Sequence, residues 1–138
     1  MNKQNKNICI HVCDDNPVVI EKAIKITKDL LNDERLAAEI VAYEDGNQFT
    51  ERYKERKDEL LILDIDMPGK SGLDILKEFE IHCKNNRVIL LTAYDNLALQ
   101  SLMYGPFQIV RKDLMEIDLE KAIRRFLRIR NDQNAQLK

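Results

Sequence analysis

What this chain lacks narrows it quickly. It has no surplus of either charge: 22 lysines and arginines stand against 24 aspartates and glutamates, a net of −2. The molecule as a whole therefore offers no electrostatic case for binding nucleic acid or a membrane surface. It has no long apolar run. The longest are strand-length, so neither a spanning helix nor a secretory leader is expected. Its three cysteines, Cys9, Cys13 and Cys83, are odd in number and show no paired metal spacing. Cys9 and Cys13 fall on one expected strand, roughly 13 Å apart and beyond disulfide reach. Buried thiols of a cytoplasmic protein are the expectation. His11 and His82 belong to no metal-spaced cluster and are read as structural. No repeat, linker or low-complexity tract interrupts the chain before residue 130, and 138 residues suit one domain with a proper core.

What is present is a regular alternation. Leu60-Leu61-Ile62-Leu63 is a continuous apolar run, as suits a strand covered on both faces, and it ends in Asp64 before a turn at Met67-Pro68-Gly69-Lys70. Ile8 to Cys13 reads as an earlier buried strand ending in Asp14-Asp15. Asn16-Pro17 then starts a helix, with Asn as cap and Pro at the first position. Its apolar face carries Ile20, Ala23, Ile24, Thr27, Leu30 and Leu31. Ala37 to Tyr43 is a second strand, and Asp45-Gly46-Asn47 turns into a short helix with Phe49 and Tyr53. After the third strand, Ser71-Gly72 opens a helix with Leu73, Leu76 and Phe79 inward. Arg87 to Thr92 is a fourth strand, and Asp95 can cap a helix through Met103. Phe107 to Arg111 is a fifth strand, followed by Lys112 and a last helix from about Leu114 to Arg130, with Leu119, Ile123, Phe126 and Leu127 on its apolar face. Strand then helix, five times over, predicts a doubly wound α/β fold of flavodoxin-like type, with a parallel five-stranded sheet in the order 2-1-3-4-5.

That order brings four strand ends to one edge. Strand 1 supplies Asp14 and Asp15, strand 3 Asp64, strand 4 Thr92 and strand 5 Lys112. Crowded carboxylates repel one another unless a cation is present. Carboxylate oxygens with water are the ligands Mg²⁺ prefers, often with a substrate phosphate. A hydroxyl and an ammonium add donors for a phosphoryl group. These residue types suggest Mg²⁺-assisted phosphoryl chemistry with a carboxylate nucleophile.

The set Asp14-Asp15, Asp64-Ile65-Asp66-Met67-Pro68-Gly69 with Gly72, Thr92-Ala93 and Lys112 resembles the receiver domains of two-component response regulators, over about residues 7–130. Leu63 to Gly69 and Leu91 to Asp95 look most like receivers of LytTR-class transcription regulators. The resemblance implies the CheY-like fold, with Asp64 as phosphoacceptor for a sensor histidine kinase. It implies Mg²⁺ bound by Asp15, Asp64 and the backbone carbonyl of Asp66, with Asp14 acting mainly through water. Thr92 and Lys112 would contact the phosphoryl oxygens. Such a module is a switch rather than a turnover enzyme, and it commonly dimerises through the face of its fourth helix, fifth strand and fifth helix. Two positions depart from the pattern. Ile109 stands where an aromatic is usual, and Asp113 follows the lysine where proline, after a cis bond, is usual. A non-proline cis bond costs about 2.5–4 kcal/mol, so a trans bond is expected at Lys112-Asp113.

The basic run Lys121, Arg124, Arg125, Arg128 and Arg130 is read as cations near a helix C-terminus, or as a face toward a second copy, rather than as a DNA contact. Residues 1–130 are the expected domain. Residues 131–138 are expected to be a structureless polar tail or the start of a linker to an effector domain absent from this sequence, through which any DNA binding would come. Two alternatives stand beside this reading. One is a pseudo-receiver that binds a partner without being phosphorylated. The other is a haloacid-dehalogenase-type phosphatase using Asp64-Ile65-Asp66, which would need a pair near the chain start and a cap domain.

Overall fold

The computed structural model describes residues 8–79, 87–93 and 108–136. The chain runs β1 (Ile8–Cys13), α1 (Pro17–Asp33), β2 (Ala38–Tyr43), α2 (Gly46–Arg52), β3 (Glu59–Asp64), α3 (Gly72–Glu78), β4 (Val88–Thr92) and β5 (Gln108–Arg111). A 3-10 turn, Lys112–Leu114, then leads into α4 (Met115–Gln136). The five strands form one parallel sheet in the order β2-β1-β3-β4-β5, as the alternation of elements predicts. The expected helix from Asp95 to Met103, together with Cys83 and His82, lies outside the described residues.

Period-2 alternation divides the central strands between two cores. Ile8, Ile10, Val12, Leu60 and Ile62 face α1 and α4, where they meet Ala23, Leu30, Leu119, Ile123 and Leu127. Cys13, Leu61, Leu63 and Leu90 face the other side, with Tyr43, Phe49, Ile75 and Leu76. All six residues of β1 and of β3 are buried, because both strands have a neighbour on each edge and cover on each face. Local chemistry sets the helix starts. Asn16 Oδ1 accepts from the Val18 N–H at 2.9 Å with Pro17 at the first position, and Asp45 Oδ1 accepts from Gln48 N–H at 2.8 Å. Ser71 and Asp74 form a reciprocal capping box at the head of α3.

The last helix departs from expectation. It continues to Gln136, so residues 131–136 are helical rather than structureless. Arg130 grips Asp58, just before β3, with Nε 2.8 Å and a terminal nitrogen 2.7 Å from Oδ2. The basic run is also partly consumed within the chain, since Arg124 pairs with Glu34 and Glu120, each at 3.0 Å. The described backbone holds no cis peptide bond, so Lys112-Asp113 is trans as expected. None of the described helices is long and apolar enough to cross a membrane.

Candidate functional site

The sheet order makes β1 and β3 neighbours, and their carboxyl ends deliver the acids. Asp14 follows β1 directly; its N–H donates to the Tyr43 carbonyl at 3.2 Å, carrying the ladder one residue past the strand. Its Oδ1 accepts from the Asn16 N–H at 2.8 Å, which ties the acid to the start of α1. Asp64 closes β3. Its Oδ1 accepts from the Asp66 N–H at 3.1 Å. Gly72 at the head of α3 lies directly behind it: a Cβ there would sit 2.4 Å from the Asp64 carbonyl oxygen, so only glycine lets the helix come this close. Asp14 and Asp64 are buried while Asp15 is exposed, and one carboxylate oxygen of each lies within 4.8 Å of the others. Among the described residues, no other group of three or more acids, histidines or cysteines converges in this way.

Lys112 completes the cluster from the far side of the sheet. Its Nζ lies 2.9 Å from Asp14 Oδ2 and 3.0 Å from Asp64 Oδ2. These are ion-pair distances without hydrogen-bond alignment, so both Oδ2 atoms are buried and lack an aligned donor. Thr92, fully buried, ends β4 one residue beyond Leu91, the register partner of Asp64. Ile109, three residues before Lys112, is half-buried against the Leu61–Leu63 core. The structure thus gathers Asp14, Asp15, Asp64 and Lys112 by direct proximity. Thr92 arrives by register, and Asp66 by its N–H.

Burial, and then the charge of Asp14, push the Asp64 carboxyl up to about 7 against the opposing pull of Lys112. Burial works against the Lys112 ammonium, but its contacts to Asp14 and Asp64 outweigh that and raise it. The neighbouring Cys13 thiol is pushed up to about 12 by burial and by Asp14, Asp45, Asp64 and Asp15, so it stays protonated and is no rival nucleophile. Two buried oxygens without an aligned donor, oxygen-only ligands and excess negative charge fit a hard divalent cation. They do not fit a thiolate-seeking metal.

A second polar cluster escaped the sequence reading. Glu59 opens β3, buried, and accepts from Tyr53 Oη at 2.6 Å and from the Arg56 N–H at 3.0 Å. Its Oε1 lies 3.3 Å from His11 Nε2, while His11 Nδ1 is 2.9 Å from Tyr43 Oη. Burial alone would raise the Glu59 carboxyl, but bonds from His11, Tyr53 and Arg56 hold it below its ordinary value. The only sequence signal was a charged residue abutting an apolar run, with tyrosines nearby.

The family model for the response regulator receiver domain matches residues 10–124. The chain belongs to this family. Sporulation initiation phosphotransferase F of Bacillus subtilis is 32% identical to this receiver domain over 81 residues, covering 57% of this chain and 64% of the relative. Sensory transduction protein LytT of the same organism is 23% identical over 117 residues, 75% of this chain and 48% of the relative. The chain thus spans less than two thirds of the length of these curated relatives. Among solved structures, response regulator TrrA of Thermotoga maritima, in complex with Mg²⁺ and BeF, is 27% identical with a TM-score of 0.65; the match covers 86% of this receiver and 97% of that chain.

Proposed function

We propose that this receiver domain is a phosphorylation-controlled switch whose phosphoacceptor is Asp64. The observation that carries the reading is the placement of Asp64: a buried carboxylate at the end of the central strand, facing two further acids and the Lys112 ammonium. Mg²⁺, held by Asp15, Asp64 and the Asp66 carbonyl with Asp14 acting through water, would supply charge neutralisation and an oriented phosphoryl group. The complex of TrrA with Mg²⁺ and BeF supports Mg²⁺ as the cation.

This chain's own residues do the rest. One Asp64 carboxylate oxygen attacks phosphorus and forms an acyl phosphate as the P–N bond to the donor histidine breaks, and the imidazole nitrogen leaves with the bonding electrons and takes up a proton from solvent. Lys112 needs only to exchange part of its ion pairing for the new phosphoryl oxygens, and Thr92 offers its hydroxyl to another. No general base is required, since the nucleophile is already an anion; positioning and charge compensation account for the rate. The raised pKa of Asp64 matters here. An Asp64 near 7 is partly protonated at neutral pH, and bound positive charge would favour its ionised, nucleophilic form.

The cognate donor is a sensor histidine kinase, and the compartment is the cytoplasm. The switch controls dimerisation, any DNA-binding output would come through a separate effector domain, and residues 1–130 form the receiver with those after as a tail or lead-out. Similarity to LytT, of which this chain spans 48%, supports a LytTR-class regulator. Ile109 cannot swing a hydroxyl in and out of the core as an aromatic there would, so the switch runs through Thr92 and the β5 backbone. The test is intact mass after incubation with acetyl phosphate and Mg²⁺. One added phosphoryl group, absent with EDTA and in Asp64→Asn, is expected. No adduct with any small phosphodonor would leave a pseudo-receiver, and steady hydrolysis of phosphate esters would indicate a phosphatase.

A further inference from the structure

The segment between Asp64 and α3 must hold its shape for the Asp66 backbone to serve the site, yet its crown has little to hold it. Its ends are fixed: Asp66 N–H bonds Asp64 Oδ1, the Gly72 N–H donates to the Ile65 carbonyl at 3.2 Å, and Met67 is buried with its sulfur 3.8 Å from that of Cys13. Between them Pro68 and Gly69 are exposed, and Gly69 takes a φ of +80° with nothing within 4 Å of a would-be Cβ. Lys70, the next residue, holds that turn down with its side chain.

We infer that Lys70 is a positioning residue that clamps the Asp64–α3 loop to α2 and α3 and so sets the backbone around Asp66. Its side chain is 22% exposed, and Nζ lies 2.7 Å from Thr50 Oγ1 on α2 and 2.5 Å from Glu78 Oε1 at the end of α3. Thr50 is already oriented, because its hydroxyl donates to the Gly46 carbonyl at 2.9 Å and leaves a lone pair for the ammonium. The backbone of Lys70 is pressed from the same direction. A Cβ on Gly46 would stand 2.4 Å from the Lys70 carbonyl oxygen and 2.7 Å from its Cβ, so the first turn of α2 packs directly on this residue. One lysine therefore joins three elements. An isolated surface ion pair contributes little, but a half-buried ammonium shared between a hydroxyl and a carboxylate fixes geometry.

This role rests on the reading of Asp66 as a metal ligand through its carbonyl, and the sign of one effect separates it from plain electrostatics. Removing a positive charge near an acidic cluster tightens a cation by Coulomb's law alone. Loosening the loop that carries a ligand weakens it. Titration calorimetry with Mg²⁺ alone decides between them, run on wild type, Lys70→Met, Lys70→Arg and Thr50→Val. The expected result is a Kd about tenfold weaker in Lys70→Met, at the mild end for supporting contacts, with Lys70→Arg largely restoring it. Thr50→Val, which leaves the charge untouched, weakens binding in the same direction and carries the test if Lys70→Met fails to fold. With acetyl phosphate, the Mg²⁺ concentration for half-maximal phosphorylation should rise by the same factor, while the saturated rate stays within about twofold. Unchanged or tighter Mg²⁺ binding in folded Lys70→Met, with normal wild-type binding, overturns the clamp alone. Absence of Mg²⁺ binding by the wild type overturns the reading of the site and the clamp with it.

Discussion

Asp64→Asn should stabilise the metal-free fold, and by more as the pH rises. In the folded chain the Asp64 carboxyl lies at about 7, against 3.8 ordinarily. Between those values the unfolded chain has released its proton and the folded chain retains it. Stability therefore falls as pH rises, beginning near the lower value and complete above the upper one. At 1.36 kcal/mol per pKa unit the full loss is on the order of 4 kcal/mol, a ceiling because Asp14 and Lys112 rearrange around the charge. Asparagine has nearly the same shape and no charge, so it escapes the loss. Urea unfolding in EDTA at pH 5 and pH 8 is the assay, since carboxylates common to both proteins cancel in the difference. With a slope of about 1–3 kcal/mol per molar urea, the pH 8 midpoint of Asp64→Asn should exceed that of wild type by about 1 M, and the gap should be clearly smaller at pH 5. Mg²⁺ at ten times its Kd should raise wild type by about 1.4 kcal/mol and narrow the gap. A gap that does not widen with pH would refute the claim that burial and Asp14 strain this carboxylate.

Other perturbations have definite signs. Glu59→Gln keeps the shape but removes the acceptor charge facing His11 and Arg87, and should cost about 1–3 kcal/mol in chemical denaturation. Because Glu59 is held below its ordinary value, its contribution is present above that value and lost as pH falls through the folded one. The wild-type advantage should therefore shrink in acid. Arg35 has a φ of +58° just past α1, a left-handed position where a Cβ is unfavourable; Arg35→Gly should raise stability by about 0.5–1 kcal/mol, seen as a higher melting temperature. Ile123→Ala opens a cavity between α4 and the sheet and should cost about 2–5 kcal/mol.

The parts of the fold legible in the sequence are those where one physical effect dominates. The buried strands β1 and β3 announced themselves as apolar runs, because a strand covered on both faces has no polar alternation to hide it. Asn16 marked a helix start as a cap, and the Asp45-Gly46-Asn47 turn and Ser71-Gly72 marked two more, where the structure shows Asp45 and Ser71 capping as well. The acids and Lys112 were legible as a site because their strand ends share one edge of a parallel sheet. Less was visible where long-range pairing decides. The Arg130–Asp58 contact spans 72 positions, and α4 runs on to Gln136, past the residue where composition turns polar. The His11–Glu59–Tyr43 cluster depends on three strands meeting, and Lys70 reads from sequence as an ordinary turn lysine until Gly46 and Thr50 are beside it.

The central claim is that Asp64, and neither Asp14 nor Asp15, becomes the acyl phosphate. Borohydride reduces an acyl phosphate to the alcohol, so phosphorylation with acetyl phosphate and Mg²⁺, followed by reduction and peptide mass mapping, marks the acceptor. Homoserine at position 64 alone, lost when Mg²⁺ is chelated, is the predicted result. Reduction at position 14 or 15, or at no aspartate while the protein binds Mg²⁺ normally, would contradict it.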